Sequence, residues 1–214
     1  MHRHGVRHCC HTSDDGEGWQ DGQARGDGIR LPGRGIRNPG GSESFEHGGW
    51  TFTFDRGVEG DQFKLAELEA ADAQLLGRRT YQGFAKAWPS ITDEVGFADK
   101  MNNMPKYVVS ATLANAEWTN SGVLRGPLDS EVPALKARHA GDILVAGSGQ
   151  LVGGLMQHDL VDEFRLMVFP IVLGTGRRLF ADKTPTTRLA LVNATPIGPD
   201  GVTILTYSRT RDPR

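Results

Sequence analysis

From about Gly49 onward the sequence predicts one α/β domain, a mostly parallel sheet with helices on both faces and an antiparallel edge at its C-terminal end. Three observations predict it. Strand and helix signals alternate from Trp50 on, and the strand candidates are separated by helical stretches of about ten residues, the spacing of crossover connections. A run apolar on both faces, Phe164 to Val172, has the composition of a central strand. The last two strand candidates follow one another with no helix between them, as an antiparallel pair does.

The elements follow in order. Trp50, Phe52 and Phe54 alternate as in a strand. Val58 to Ala71 carries Phe63, Ala66 and Ala70 at helical spacing, with Glu and Asp on other positions. Ala73–Leu76 is a short strand. Arg78–Ala87 is a helix stopped by Trp88-Pro89, since proline disfavours the helical region for the residue before it. A short helix is predicted over Phe97–Asn103 and a strand over Lys106–Val109, ending at Ser110. Val132, Leu135 and His139 mark a helix after Pro127. Ile143–Ala146 is a buried strand, and a helix runs from Gly147 to His158. Two further strands are placed near Leu189–Val192 and Val202–Tyr207.

The first 41 residues have another composition. They hold ten glycines, four of the seven histidines and both cysteines, and no lysine occurs before Lys64. Their few large apolar residues follow neither a helical nor a strand period. Such a segment buries too little apolar surface to offset its ordering entropy, so disorder is the expectation for residues 1–41. The domain is expected to span 42–210. His2, His4, His8, Cys9, Cys10 and His11 are metal-ligating types, but their spacing matches no closed structural site, and no metal is assigned.

The chain carries 24 basic and 26 acidic residues, a formal charge of −2, with no block of Lys and Arg to point to a nucleic-acid partner. No apolar run approaches the roughly 18 residues of a membrane span. The adjacent Cys9 and Cys10 do not suggest a disulfide framework. The expectation is a cytoplasmic protein with a small-molecule substrate.

Two strand-to-helix junctions carry the chemistry. Leu75-Leu76 runs into Gly77-Arg78-Arg79-Thr80, where glycine permits a tight turn and a helix amino end offers free N–H groups beside two arginines and a hydroxyl. The same residues also read as a plain helix start with solvated arginines. Ile143–Ala146 runs into Gly147-Ser148-Gly149-Gln150-Leu151, where small residues after a buried strand let a ligand approach, or let helix and strand pack closely. Ser110, Ala111 and Thr112 lie beyond a third strand end. The carboxyl ends of strands form the ligand crevice of an open α/β sheet, and three anion-friendly ends together favour a nucleotide.

Leu76-Gly-Arg-Arg-Thr-Tyr81, Val109-Ser110 closing a strand, and Val145-Ala-Gly-Ser-Gly149 opening a late helix resemble the dihydrofolate reductase-like family. Asp162-Glu-Phe-Arg-Leu166 through Pro170-Ile-Val-Leu-Gly174-Thr-Gly176 and Leu179-Phe180 are similar to one branch of it. That branch holds the reductase domain of the bifunctional riboflavin-pathway deaminase-reductase and its stand-alone relatives. The resemblance runs from about Gly49 to Ser208. It implies an NADPH-dependent reductase, in riboflavin biosynthesis or near it, that transfers hydride to a pteridine- or riboflavin-precursor pyrimidine-type heterocycle. Gly77, Arg78, Arg79, Thr80, Ser110, Ala111 and Thr112 would hold the adenosine phosphates, and Gly147, Ser148, Gly149, Gln150 and Leu151 the pyrophosphate. An arginine beside Ser110 favours NADPH over NADH, because a guanidinium pairs well with a 2′-phosphate. Phe84 matches a position lining the substrate cavity, and Trp50 could stack on a flat heterocycle or pack under the sheet. A homodimer is also implied. No catalytic acid is assigned: Asp55, Glu59 and Asp61 lie near the expected cleft and also read as solvated helix-start carboxylates.

The chain departs from this family at its start. The family opens with a central strand containing a run like Val-Ser-Leu-Asp-Gly-Val, just before a loop like Pro39-Gly-Gly-Ser-Glu-Ser-Phe45. Here Arg25-Gly-Asp-Gly-Ile-Arg-Leu-Pro-Gly-Arg-Gly-Ile36 stands in that place. A permissible codon choice for those residues, read one base later, encodes Val-Val-Met-Ala-Phe-Val-Ser-Leu-Asp-Gly-Val. Residues up to about Asn38 therefore read as an out-of-frame translation, and the alternative to a reductase is a nucleotide-binding protein without turnover.

Overall fold

The computed structural model describes residues 6–11, 50–146, 148–172, 179–180 and 184–210, with 6–11 described by their backbone. In chain order the elements are β1 (Val6–His11), α1 (Gly57–Ala70), β2 (Ala71–Gly77), α2 (Arg78–Ala87), α3 (Phe97–Asn103), β3 (Lys106–Val109), β4 (Ser121–Leu124), α4 (Leu128–Arg138), β5 (Asp142–Ala146), α5 (Gly149–Gln157), β6 (Glu163–Val168), β7 (Leu189–Ile197) and β8 (Val202–Arg209). Among the described residues the strands form one sheet in the order β4-β3-β2-β5-β1-β6-β8-β7. Strands β4 to β6 run parallel, and β8 and β7 add the expected antiparallel edge.

Helices cover both faces. Leu75, Ile143 and Val145 meet Val132 and Leu135 of α4 and Leu151, Val152 and Leu155 of α5 on one side. On the other, Leu76, Leu144 and Ala146 meet Leu68 of α1, Tyr81 and Phe84 of α2, and Met101 of α3. A smaller cluster under β6 and β8 joins Trp50, Met167, Phe169, Ile197, Val202 and Ile204.

Four expectations are corrected. The first is that nothing before residue 41 joins the sheet: Val6–His11 lies between β5 and β6, with His8 opposite both Val145 and Phe164. A slot between two parallel strands is lined by backbone donors and acceptors, which any extended segment can pair whatever its side chains. The remaining residues of the 1–41 segment lie outside the described part.

The second concerns α1, which turns its charged face inward. Gly60, Asp61, Lys64, Glu67 and Leu68 are buried, while Ala66 and Ala70 are exposed. The sheet beneath explains it, because β5 and β6 present Asp142, Glu163 and Arg165 there. Lys64 Nζ lies 3.0 Å from Glu67 Oε2, and Arg165 lies 2.7 Å from Glu163 and 3.7 Å from Glu67. Burial works against the Arg165 charge, but Glu67, Glu163 and Asp142 outweigh it and hold the guanidinium above its ordinary pKa.

The third is the Trp50–Phe54 strand, which is instead a 3-10 turn over Trp50–Thr53. A helical turn brings Trp50 and Phe54 onto one ring, Phe169, at centroid distances of 5.0 and 5.5 Å. The fourth is the extent of β6, which ends at Val168 rather than Val172. Pro170 has no N–H to continue a ladder, and Val172 is 95% exposed.

Candidate functional site

Strand order makes the site. From β2 the chain passes by α2 and α3 to β3, on one face and toward one edge. From β5 it passes by α5 to β6, on the other face and toward the opposite edge. Strands β2 and β5 are neighbours, so their carboxyl ends flank a topological switch point, where open α/β sheets take ligands.

Both predicted junctions meet in that crevice. Ser148 Oγ accepts a hydrogen bond from the Gly77 N–H at 3.0 Å and lies 2.6 Å from Thr80 Oγ1. Gly77 has ordinary extended angles, φ −77° and ψ 156°, so the turn itself does not need glycine. What needs it is Ser148: a Cβ on residue 77 would lie 2.5 Å from the Ser148 Oγ and 2.9 Å from its Cβ.

Neither α2 nor α5 has a side-chain cap at its amino end. Their first-turn N–H groups lack intrahelical acceptors, and the positive end of each helix dipole adds to their attraction for an anion. Arg78 and Arg79 are exposed on the first turn of α2, and Arg78 reaches Gln82 at 3.4 Å. On α5, Gln150 is exposed and Leu151 is buried in the core, so Leu151 could offer a ligand its backbone but not its side chain. Gly147 lies outside the described residues, as do Gly174, Thr175 and Gly176.

The third strand end lies beside β2. Ser110 is buried, and its hydroxyl accepts from the N–H groups of Thr112 at 3.2 Å and Leu113 at 2.9 Å. Those two bonds occupy both lone pairs, leaving the O–H to donate. Ala111 and Thr112 are exposed. Sequence reasoning missed Arg125, at the end of β4, whose Nη2 donates to the carbonyls of Leu113 and Ala114 at 2.7 and 2.9 Å. The signal was a fourth strand end, but Ser121–Leu124 is short and contains Gly122, which weakens the strand pattern.

Other assignments are not gathered here. Phe84 is wholly buried among Leu76, Tyr81, Trp88 and Met101 and so lines no solvent-reached cavity; its position on the inner face of α2, one turn after Thr80, fixes that. Trp50 packs beneath β6 and β8. Asp61 is buried and paired with Arg56, whose Nε lies 2.9 Å away. Asp55 is exposed and accepts from the Gly57 N–H at 2.8 Å, and Glu59 is exposed on the first turn of α1.

Residues 38–203 match the RibD C-terminal domain. Two Bacillus subtilis proteins, described as uncharacterized, are similar in sequence. YyaP is 32% identical over 130 residues, 59% of this chain and 68% of its own length. YwjB is 28% identical over 140 residues, 65% of this chain and 76% of its own. A putative riboflavin biosynthesis protein from Shewanella sp. PV-4 shares the fold with a TM-score of 0.61 at 17% identity, covering 98% of this chain and 100% of that one. A pyrimidine reductase-like protein from Corynebacterium diphtheriae does so at 0.55 and 16%, covering 97% and 92%. RibD from Acinetobacter baumannii does so at 0.56 and 15%, covering 97% of this chain and 58% of that one.

Proposed function

This chain belongs to the RibD C-terminal domain family, a reductase-like family, and from that premise we propose that it is an NADPH-dependent reductase of a small heterocycle of the pteridine or riboflavin-precursor pyrimidine type. The observation that carries the reading is the meeting of two uncapped helix amino ends at the switch point of the sheet, with two exposed arginines on the first turn of one of them and the Ser110 hydroxyl at the neighbouring strand end. That donor set suits a ligand with several phosphates. Arg78 and Arg79 would pair with a 2′-phosphate, Ser110 would donate its O–H to the adenosine end, and the amides of Gly149, Gln150 and Leu151 would meet the pyrophosphate. The cofactor supplies the hydride when bound. The protein's share is to hold it in one orientation against the acceptor and to exclude water, and such positioning supplies much of the rate in reactions of this kind. None of Asp55, Glu59 and Asp61 is assigned as a proton donor.

The experiment is oxidation of NADPH by the purified chain in the presence of candidate pteridines and ribosylated aminopyrimidines, followed by loss of the reduced nicotinamide absorbance. The reading expects substrate-dependent oxidation with at least one of them. Binding of NADPH with no turnover on the whole panel would favour the second reading, a nucleotide-binding protein without catalysis. That reading is motivated by the Val6–His11 segment occupying the central slot of the sheet.

A further inference from the structure

Among the described residues Asn120, Ser148 and Asp159 are the non-glycine residues at positive φ. Ser148 stands at φ 67° and ψ 70°, immediately before α5. The left-handed region costs a residue with a Cβ roughly 1 kcal/mol or more relative to glycine, and glycines flank this position on both sides. Something therefore offsets the strain, and the side chain shows what. It does not project from α5 as a free hydroxyl. It crosses to the neighbouring junction, where it accepts the Gly77 N–H and shares a hydrogen bond with Thr80. Three features fit one another: no Cβ at residue 77, a left-handed backbone at 148, and a hydroxyl at 80.

We infer that Ser148 is a positioning residue that fixes the amino ends of α2 and α5 relative to each other, so that the two halves of the proposed dinucleotide site bind as one unit. This rests on the nucleotide reading above and changes the role expected of Ser148. The hydroxyls of Ser148 and Thr80 have two protons between them, and one is spent in their mutual bond. At most one is left for a phosphate, so the main work of Ser148 is on the protein side. The adenosine-phosphate end meets Gly77 to Thr80, the pyrophosphate meets the start of α5, and the spacing between them is set in advance.

The test uses Ser148→Gly, which removes the hydroxymethyl group, and with it both hydrogen bonds, while the left-handed backbone is one that glycine adopts without strain. Thr80→Val removes the partner, and Thr80→Ser retains it. The dissociation constant for NADPH is measured by calorimetry for the wild type, each variant and the S148G/T80V pair. Exchange of the Gly77 amide is measured in the ligand-free proteins. The inference expects about tenfold weaker NADPH binding in S148G and in T80V. It expects no further loss in the pair, because both changes break one linkage. T80S should bind as the wild type does, and the Gly77 amide should exchange faster in S148G. NADPH binding by S148G at wild-type strength, or losses in the pair that multiply, would overturn the inference and leave the nucleotide reading standing. Failure of the folded wild type to bind NADPH would overturn both.

Discussion

Arg165 on β6 reaches Asp142 on β5, with Nη2 3.9 Å from Oδ2, although β1 separates those two strands. The contact belongs to the charged layer under α1, where Lys64, Glu67 and Glu163 complete the network. Removing one partner from a buried ionic group leaves the others without compensation, at a cost of about 3–5 kcal/mol. Arg165→Met should therefore lower the unfolding free energy extrapolated from urea titration by that amount. A change below about 1 kcal/mol would mean that water already screens the cluster.

Lys106 is wholly buried, with Nζ donating to the carbonyls of Asn102, Met104 and Thr119 at 2.8–2.9 Å and lying 4.2 Å from the Trp118 ring centroid. Lys106→Met removes the amine donor from three carbonyls and should destabilise the fold by roughly 3 kcal/mol. Burial pushes the ammonium from its ordinary 10.5 down to about 8. With the folded value below the unfolded one, the cost of burying the charge is fully present below about pH 8 and is relieved as pH rises toward 10.5. The wild type should gain stability relative to K106M across that window. Equal pH slopes for the two proteins would contradict the shift.

How legible the molecule is in its sequence depends on what each feature requires of its residues. Continuous apolar runs such as Ile143–Ala146 and Tyr107–Val109 declare their strands, because a buried strand in a parallel sheet must be apolar or satisfied on both faces. Both strand-to-helix junctions are legible too, since glycine and hydroxyl types cluster where backbone must approach closely. Strand β1 is not legible: its place is held by backbone pairing, which carries no residue signature. The inward face of α1 is not legible either, because apolar spacing finds a core only where the core is apolar, and here Glu67 pairs with Lys64 and reaches Arg165. At Gly77 the need for glycine comes from close approach and not from the turn, because the atom that excludes a side chain belongs to a serine 71 positions away.

The out-of-frame reading of the first residues makes a prediction at the level of the gene. The match to the family begins at residue 38, close to where that reading places the return of the frame. The coding DNA, read one base later over Arg25–Ile36, should encode the Val-Ser-Leu-Asp-Gly-Val run. A protein carrying that run should melt at a higher temperature than this chain, because an apolar strand would then fill the centre of the sheet. A shifted frame without the run would refute the reading.

Arg78 and Arg79 are exposed residues on the first turn of α2. Replacing either by alanine should weaken NADPH binding about tenfold, the scale of one charge-assisted hydrogen bond, while NADH binding changes little. Calorimetry with both cofactors separates a 2′-phosphate contact from general loss of the site. Parallel losses for the two cofactors would place these arginines elsewhere on the nucleotide.

The most direct test of the nucleotide reading is titration of the purified chain with NADPH and, separately, with NADH by calorimetry. The account predicts saturable NADPH binding with a dissociation constant on the order of micromolar, and NADH weaker by about tenfold or more. A folded sample that binds neither cofactor, or binds NADH as tightly as NADPH, would contradict it.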